Sequence, residues 1–441
     1  SLFGVKAQLQ FGKTTVTGIF SEQKSQTKTV TAQGGGTIQD FDLFGLEYDN
    51  DRHFFLSQYF RNKYDSALKN YPFIDSRVQI TRLEVWITNR QNRVNTTNNN
   101  LRNIIALQDL GEAELTGSTT NEIVSLSQLP TGFFSRPIDS PADNKNNLYD
   151  PGLINSNAGG AGYLNSNIRE IATAGSGFNI LTGGPTILQV EGLDYSKLEN
   201  ARKLNTNEYT FNTQLGYISL QQRLSNDEVL AVAFQYTVGD QVYQVGEFGN
   251  DGVDATQPGS FDPVTGEPQT ITTQSLVLKM LKSNLTNTAK PVWNLMMKNI
   301  YQIPGAFQLE QQDCRFNILY SDPSPINYIT PVEGTTFPDT QGNRVTDTPL
   351  LKVFNVDKLN FNNDPQGGGD GFFDFIPGLT VDQQNGRLIF TTVEPFGKLI
   401  FDKLKDSPAQ DYKDETTYNL NQKKYVFRSM YRGTQSAALQ D

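Results

Sequence analysis

The sequence predicts a mainly-β protein, built of β-sandwich-like modules with a few helices. Three observations predict it. Apolar and polar side chains alternate with a period of two along residues 5–11, and residues 78–89 read as a strand with apolar groups on both faces. Two stretches, 210–220 and 380–390, share one pattern: a Thr, a Gly six positions later, and an apolar run just beyond. That pattern reads as strand, tight turn and strand, with the glycine supplying a positive φ. Helical spacing of apolar residues is confined to short segments near 51–70 and 291–303.

At the N-terminus Val5, Ala7, Leu9 and Phe11 alternate with Lys6, Gln8 and Gln10. Gly12-Lys13 interrupts the alternation as a tight turn would. The chain returns through Val16, Gly18 and Phe20 against Thr15 and Thr17, with Ile19 out of phase, and becomes wholly polar over residues 21–26. A short apolar band with a tight turn at one end and a polar extension at the other is the pattern of an outer-membrane β-hairpin. A soluble amphipathic hairpin would read the same way.

The remaining elements follow in order. Gly34-Gly35-Gly36 marks a flexible exit. Residues 51–70 read as a helix, with Phe55, Tyr59, Phe60, Tyr64 and Leu68 along one stripe, a cap at Asp49, Asn50 or Asp51, and Pro72 stopping extension. Residues 78–89 carry apolar groups on both faces and are expected at the centre of a sheet, with 103–110 as a second strand beyond an Asn-rich loop at 89–100. Residues 116–184 read as long irregular loops with one short element near 168–171; a functional cover and a plain spacer fit equally. Beyond Pro185 come the 210–220 hairpin, a second at 229–248 turning at Gly239-Asp240, and an acidic loop at 250–268. Then follow a strand at 275–282, a short helix at 291–303 and strands at 309–320 and 350–359. The hairpin at 380–390, a polar stretch at 403–422 and a last strand opening near 423–430 complete the chain. The likeness of the 210–220 and 380–390 hairpins reads either as one small module used twice or as coincidence. Four segments result: a hairpin and exit linker at 1–36, a first β module with its helix at 37–184, a second β region with the hairpin repeats at 185–422, and a return segment at 423–441.

Composition bounds the function. The 441 residues carry 37 Lys and Arg against 47 Asp and Glu, a net charge of −10, which argues against a nucleic-acid partner needing clustered cations. The 28 Phe and 18 Tyr make the chain too aromatic to be wholly disordered. Cys314 is the single cysteine, so an intrachain disulfide is excluded, and it is expected as a small buried residue of a strand. The strongest apolar run, near 229–238, is far short of the ~18 residues of a membrane-spanning helix. Any membrane contact is therefore expected through β-strands. The chain opens on Ser1 inside a strand pattern, without an initiator Met, and is expected to be a piece of a longer one.

Candidates for chemistry are few. His53 is the only histidine and has no acidic cluster or second histidine beside it in sequence, so a structural or surface role is expected. Asp364, Asp370 and Asp374 sit on a Gly-rich turn that resembles a cation loop, but the spacing and the missing terminal Glu differ from an EF-hand, and a solvated turn is expected. Trp86 and Trp293 are conceivable sugar platforms, although both lie in apolar periodic elements that favour core packing. No catalytic, cofactor-binding or metal-binding residue is assigned, and no enzyme activity is expected.

Four stretches carry a family resemblance: Leu2-Phe3-Gly4-Val5-Lys6-Ala7-Gln8-Leu9-Gln10-Phe11-Gly12-Lys13, His53-Phe54-Phe55-Leu56-Ser57-Gln58-Tyr59-Phe60-Arg61, Ile80-Thr81-Arg82-Leu83-Glu84-Val85-Trp86-Ile87-Thr88-Asn89-Arg90, and Phe372-Phe373-Asp374-Phe375. They resemble the SprA (Sov) family, outer-membrane translocons of the Bacteroidetes type IX secretion system that also serve gliding motility. The resemblance implies modules inserted between strands of a large outer-membrane β-barrel that conducts folded proteins. It implies exported cargo, a PorV-type barrel protein, a periplasmic plug protein and lipid as partners, and it carries over no active site. The turn at Gly12-Lys13, taken as periplasmic, leads to the expectation of an extracellular cap over the pore. A carbohydrate-binding cell-surface module and a secreted hydrolase are the competing readings.

Overall fold

The computed structural model describes residues 2–11, 14–23, 38–90, 101–112, 140–147, 149–154, 162–179, 189–250, 256–261, 265, 268–288, 290–320, 327–328, 348–396 and 425–432. The chain is mainly β, as its alternation predicts. β1 (Leu2–Phe11) and β2 (Thr14–Gln23) pair antiparallel along their whole length, from Leu2↔Gln23 to Phe11↔Thr14. The expected turn residues Gly12 and Lys13 lie outside the described residues. β3 (Ile38–Phe44) opens the globular part.

β4 (His53–Phe55) and α1 (Gln58–Ala67) together replace the helix expected over 51–70. The helix is shorter because the backbone of His53, Phe54 and Phe55 finds a strand partner in Ser219, Ile218 and Tyr217, far away in sequence. Tyr59, Phe60 and Tyr64 do form the buried helical stripe. Phe55 and Leu68 are buried beside it, from the strand and from the residue that caps the helix. Ser57, not an Asp or Asn further back, takes the N-cap position.

β5 (Val78–Ile87), β6 (Leu101–Leu107), β7 (Tyr195–Lys203), β8 (Tyr209–Asn212), β9 (Tyr217–Leu220), β10 (Leu230–Val238), β11 (Gln241–Val245), β12 (Thr256–Phe261), β13 (Pro268–Thr273) and β14 (Leu276–Lys282) follow. Five of them close on themselves as a small barrel. β5 pairs with β10, β10 with β14, β14 with β6, β6 with β7, and the last residues of β7 return to Trp86 and Ile87 of β5. β14 runs parallel to β6 and every other contact is antiparallel. A strand with neighbours on both edges and side chains packed on both faces reads as nearly continuously apolar. Val85, Trp86 and Ile87 of β5 and all seven residues of β14 are buried accordingly. Within 116–184 the described residues form single turns at Asn144–Asn146, Pro151–Leu153, Ser166–Arg169 and Ala174–Ser176. Arg169 fastens this stretch to the barrel through a bidentate pair with Glu247, at 2.5 and 2.7 Å.

The second half holds β15 (Ile300–Gln302), β16 (Cys314–Tyr320), α2 (Leu350–Val353), β17 (Val381–Asp382), β18 (Arg387–Ile389) and β19 (Tyr425–Arg432). The helix expected at 291–303 is one short turn, Pro291–Leu295, followed by β15. The strand expected at 350–359 begins instead as α2, because Pro349 starts a turn and Leu350, Leu351 and Val353 bury together against the second core.

The two similar hairpins occupy the same place in the same topology. In each, the second strand of the hairpin pairs with a short earlier strand: β9 with β4, and β18 with β15. In each, the long strand after that short strand pairs antiparallel with the strand after the hairpin: β5 with β10, and β16 with β19. The turn glycines match, with φ of +66° at Gly216 and +67° at Gly386. One module therefore occurs twice; the core of the first copy also takes in Ile300 and Ile389 of the second, whose other apolar residues form a second cluster.

Candidate functional site at the module junction and an adjoining cleft

Asp49 stands where the two modules meet. Its backbone N–H donates to the Ile300 carbonyl of β15 at 2.8 Å. Its carboxylate lies 3.0 Å from His53 Nε2 in β4, 3.0 Å from Arg387 Nε in β18 and 3.6 Å from Arg52. Arg387 also holds Asp382 at 3.1 Å across its own hairpin. A carboxylate only accepts, so His53 Nε2 carries the proton; Nδ1 is then the acceptor for the Ser219 hydroxyl at 2.7 Å. Burial pushes the Asp49 carboxyl up, but the hydrogen bond and charge of His53, with Arg52 and Arg387, bring it below its ordinary value. Burial pulls the His53 imidazole down against the opposing pull of Asp49, so the ring is neutral at pH 7.

His53 is thus a buried strand residue, which corrects its expected helical position. Ser219, His53 and Asp49 have the connectivity of a hydrolytic triad with the ring nitrogens exchanged. The chemistry differs, because Asp49 is shared with guanidinium groups and the His53 ring is sealed at 1% exposure. The arrangement is suited to fastening one module to the other.

The Gly-rich acidic turn is organised by its own backbone. Asp374 accepts from the N–H groups of Lys358 (2.6 Å) and Leu359 (3.1 Å) and from the Tyr71 hydroxyl (2.7 Å). Asp357 accepts from the N–H groups of Asp370 (2.9 Å) and Gly371 (3.1 Å). Burial raises both carboxyls despite these bonds. The Asp374 side chain therefore faces the protein, while Asp364 is exposed. Among the described residues no group of three or more His, Cys, Asp or Glu is placed to hold a metal ion. Trp86 is buried in the barrel wall and Trp293 is half-buried against the first core, with Lys298 Nζ 5.1 Å from its ring. Cys314 is buried at the start of β16.

Sequence reading did not find one sizeable cleft. A cleft of about 790 Å³ opens where β5 ends, β6 begins, β7 ends and the turn before β10 passes. Its lining comes from four separate stretches, so no local motif announces it. Lys282, at the end of β14, holds one wall through the carbonyls of Ser225 (3.0 Å), Asn226 (3.1 Å) and Glu228 (2.8 Å).

A closed β-barrel with a second module fastened to it by buried charge defines a mainly-β protein of two like modules. Comparison with known families then places it: the SprA_N family, described as motility related/secretion protein, matches residues 1–242, more than half of the chain. The chain belongs to that family, and its role is in motility or secretion. No curated protein matches it.

Proposed function

We propose that this chain is part of a protein-conducting outer-membrane translocon and caps its pore on the extracellular side during export of folded proteins by type IX secretion. One observation carries the reading. β3 and β19 pair antiparallel from Ile38↔Arg432 to Phe44↔Val426, so residues 38–432 leave and rejoin at one place. An insertion between neighbouring barrel strands has to begin and end that way. β1 and β2 are ten residues each, against the ~9–11 of a tilted transmembrane strand. Only two residues separate paired Phe11 from Thr14, which suits a short periplasmic turn and sends β2 outward. In this reading the protein is no enzyme and transport is driven from elsewhere. Its partners are the exported cargo, a PorV-type barrel protein, a periplasmic plug protein and lipid around the barrel strands, with no nucleic acid among them.

The test is topological. Asp240→Cys places a thiol on the exposed turn between β10 and β11, in a background with Cys314→Ser. A membrane-impermeant maleimide should label it in intact cells. Labelling only after the outer membrane is permeabilised would place the modules in the periplasm and overturn the cap.

A further inference from the structure

The cleft beside β5 and β7 has a composition that selects among ligand classes. Its floor is aliphatic, made by Ile87, Leu204, Leu220 and Leu224, all buried. Its walls carry the amide side chains of Asn89, Asn207, Gln221 and Gln222, and none of the hydrogen bonds among the described residues uses them. Most of the cations are already committed. Arg202 is held bidentate by Glu208 at 2.7 and 2.9 Å, and Arg90 by Asp227 at 2.5 Å. Arg223 differs. Its side chain is 53% exposed, and among the described residues its one ion pair is a 3.9 Å approach to Asp51, too long for a hydrogen bond.

Each alternative ligand meets an obstacle. A glycan site would be expected to offer an aromatic ring for stacking, and none of the described residues lining the cleft is aromatic. A nucleic acid would need several uncommitted cations, and among the described residues lining the cleft Arg223 stands alone. A purely apolar ligand would leave four side-chain amides desolvated and unpaired. An extended peptide satisfies every part. Asn and Gln side chains offer both a donor and an acceptor, matching the peptide backbone in either direction. The volume lies within the ~300–1,000 Å³ of ligand clefts.

We propose that this cleft binds an extended peptide segment in which an aliphatic side chain neighbours a carboxylate. The aliphatic group rests on the Leu204–Leu220 floor, the backbone meets Asn89, Asn207, Gln221 and Gln222, and the carboxylate pairs with Arg223. The proposal stands on the cleft alone and does not require the cap reading.

The test is fluorescence anisotropy on the full chain in detergent, with a fluorescein-labelled hexapeptide Leu-Thr-Leu-Asp-Val-Asp as probe. Saturable binding is expected, about tenfold weaker when both Asp of the probe are Lys. Arg223→Ala should weaken it by about tenfold, as loss of a charged hydrogen bond does. The double variant Gln221→Ala, Gln222→Ala should weaken it through the wall and not through charge, leaving the preference for the acidic probe intact. These side chains are exposed, and melting temperature should be unchanged in both variants. No saturable binding, binding indifferent to both variants, or preferential binding of a labelled cello-oligosaccharide would each overturn the proposal.

Discussion

Gly216 lies directly against the ring of Phe60: a Cβ at the glycine would stand 2.3 Å from the ring's Cγ. The glycine also has φ +66°, where an L side chain strains its own backbone. The turn of the first repeated hairpin and the helix α1 are therefore fitted to each other. Gly216→Ala should cost about 2–5 kcal/mol, the sum of the left-handed strain and overpacking. Gly239 shares the positive φ but faces open space, so Gly239→Ala should cost only about 1–2 kcal/mol. Urea unfolding of the two variants side by side decides it; equal losses would mean the Phe60 contact yields freely.

Phe60 itself is 2% exposed and meets Tyr236 at 5.0 Å and Phe234 at 6.0 Å between ring centroids. It couples α1 to β10 of the barrel. Phe60→Ala should cost about 3–5 kcal/mol in the same assay. A loss below about 1 kcal/mol is incompatible with an aromatic side chain packed at that depth.

The junction makes stability depend on pH in a stated direction. The folded His53 imidazole titrates below its ordinary 6.5, so the unfolded chain binds more protons in the window beneath that value. Its contribution is complete above pH 6.5 and falls away as the pH drops below it. Asp49, also shifted down, adds a second loss below its ordinary 3.8. Unfolding free energies at pH 8, 6.5 and 5 should fall with acidity, and His53→Gln should flatten the slope between 6.5 and 5. An unchanged slope would show that His53 charges as easily folded as unfolded.

The acidic turn should divide by residue. Asp374→Ala strands the N–H groups of Lys358 and Leu359 and the Tyr71 hydroxyl, and should cost about 2–4 kcal/mol. Asp364 is exposed, and Asp364→Ala should fall within about 0.5 kcal/mol of the parent. Millimolar calcium should leave the melting temperature unmoved. A calcium-dependent rise that Asp370→Ala removes would instead establish a cation loop.

Residues 78–87 needed no tertiary information to be read as a central strand, because apolar groups on both faces of a period-two pattern leave few alternatives. The glycines of the two hairpins were legible for a similarly local reason: a tight turn of that kind demands a positive φ at one residue, and Gly216 and Gly386 supply it. The structural equivalence of those hairpins was visible only as a possibility until β4 and β15 were seen to pair with them. Residues 53–55 show what the sequence by itself left undecided. Their aromatic side chains extend the helical stripe of Tyr59 and Tyr64, yet their backbone bonds to β9, more than 160 positions away. Backbone pairing of that kind depends on which edge tertiary packing brings alongside, and local periodicity does not encode it. The same holds for the carboxylate of Asp49 beside Arg387, and for the cleft, whose amides come from the ends of separate strands. Composition and period determined the β class and the hairpins; the cleft was decided by barrel closure, which sets distant strand ends side by side, and the charge junction by the meeting of the two hairpin sheets, which brings Asp49 beside Arg387.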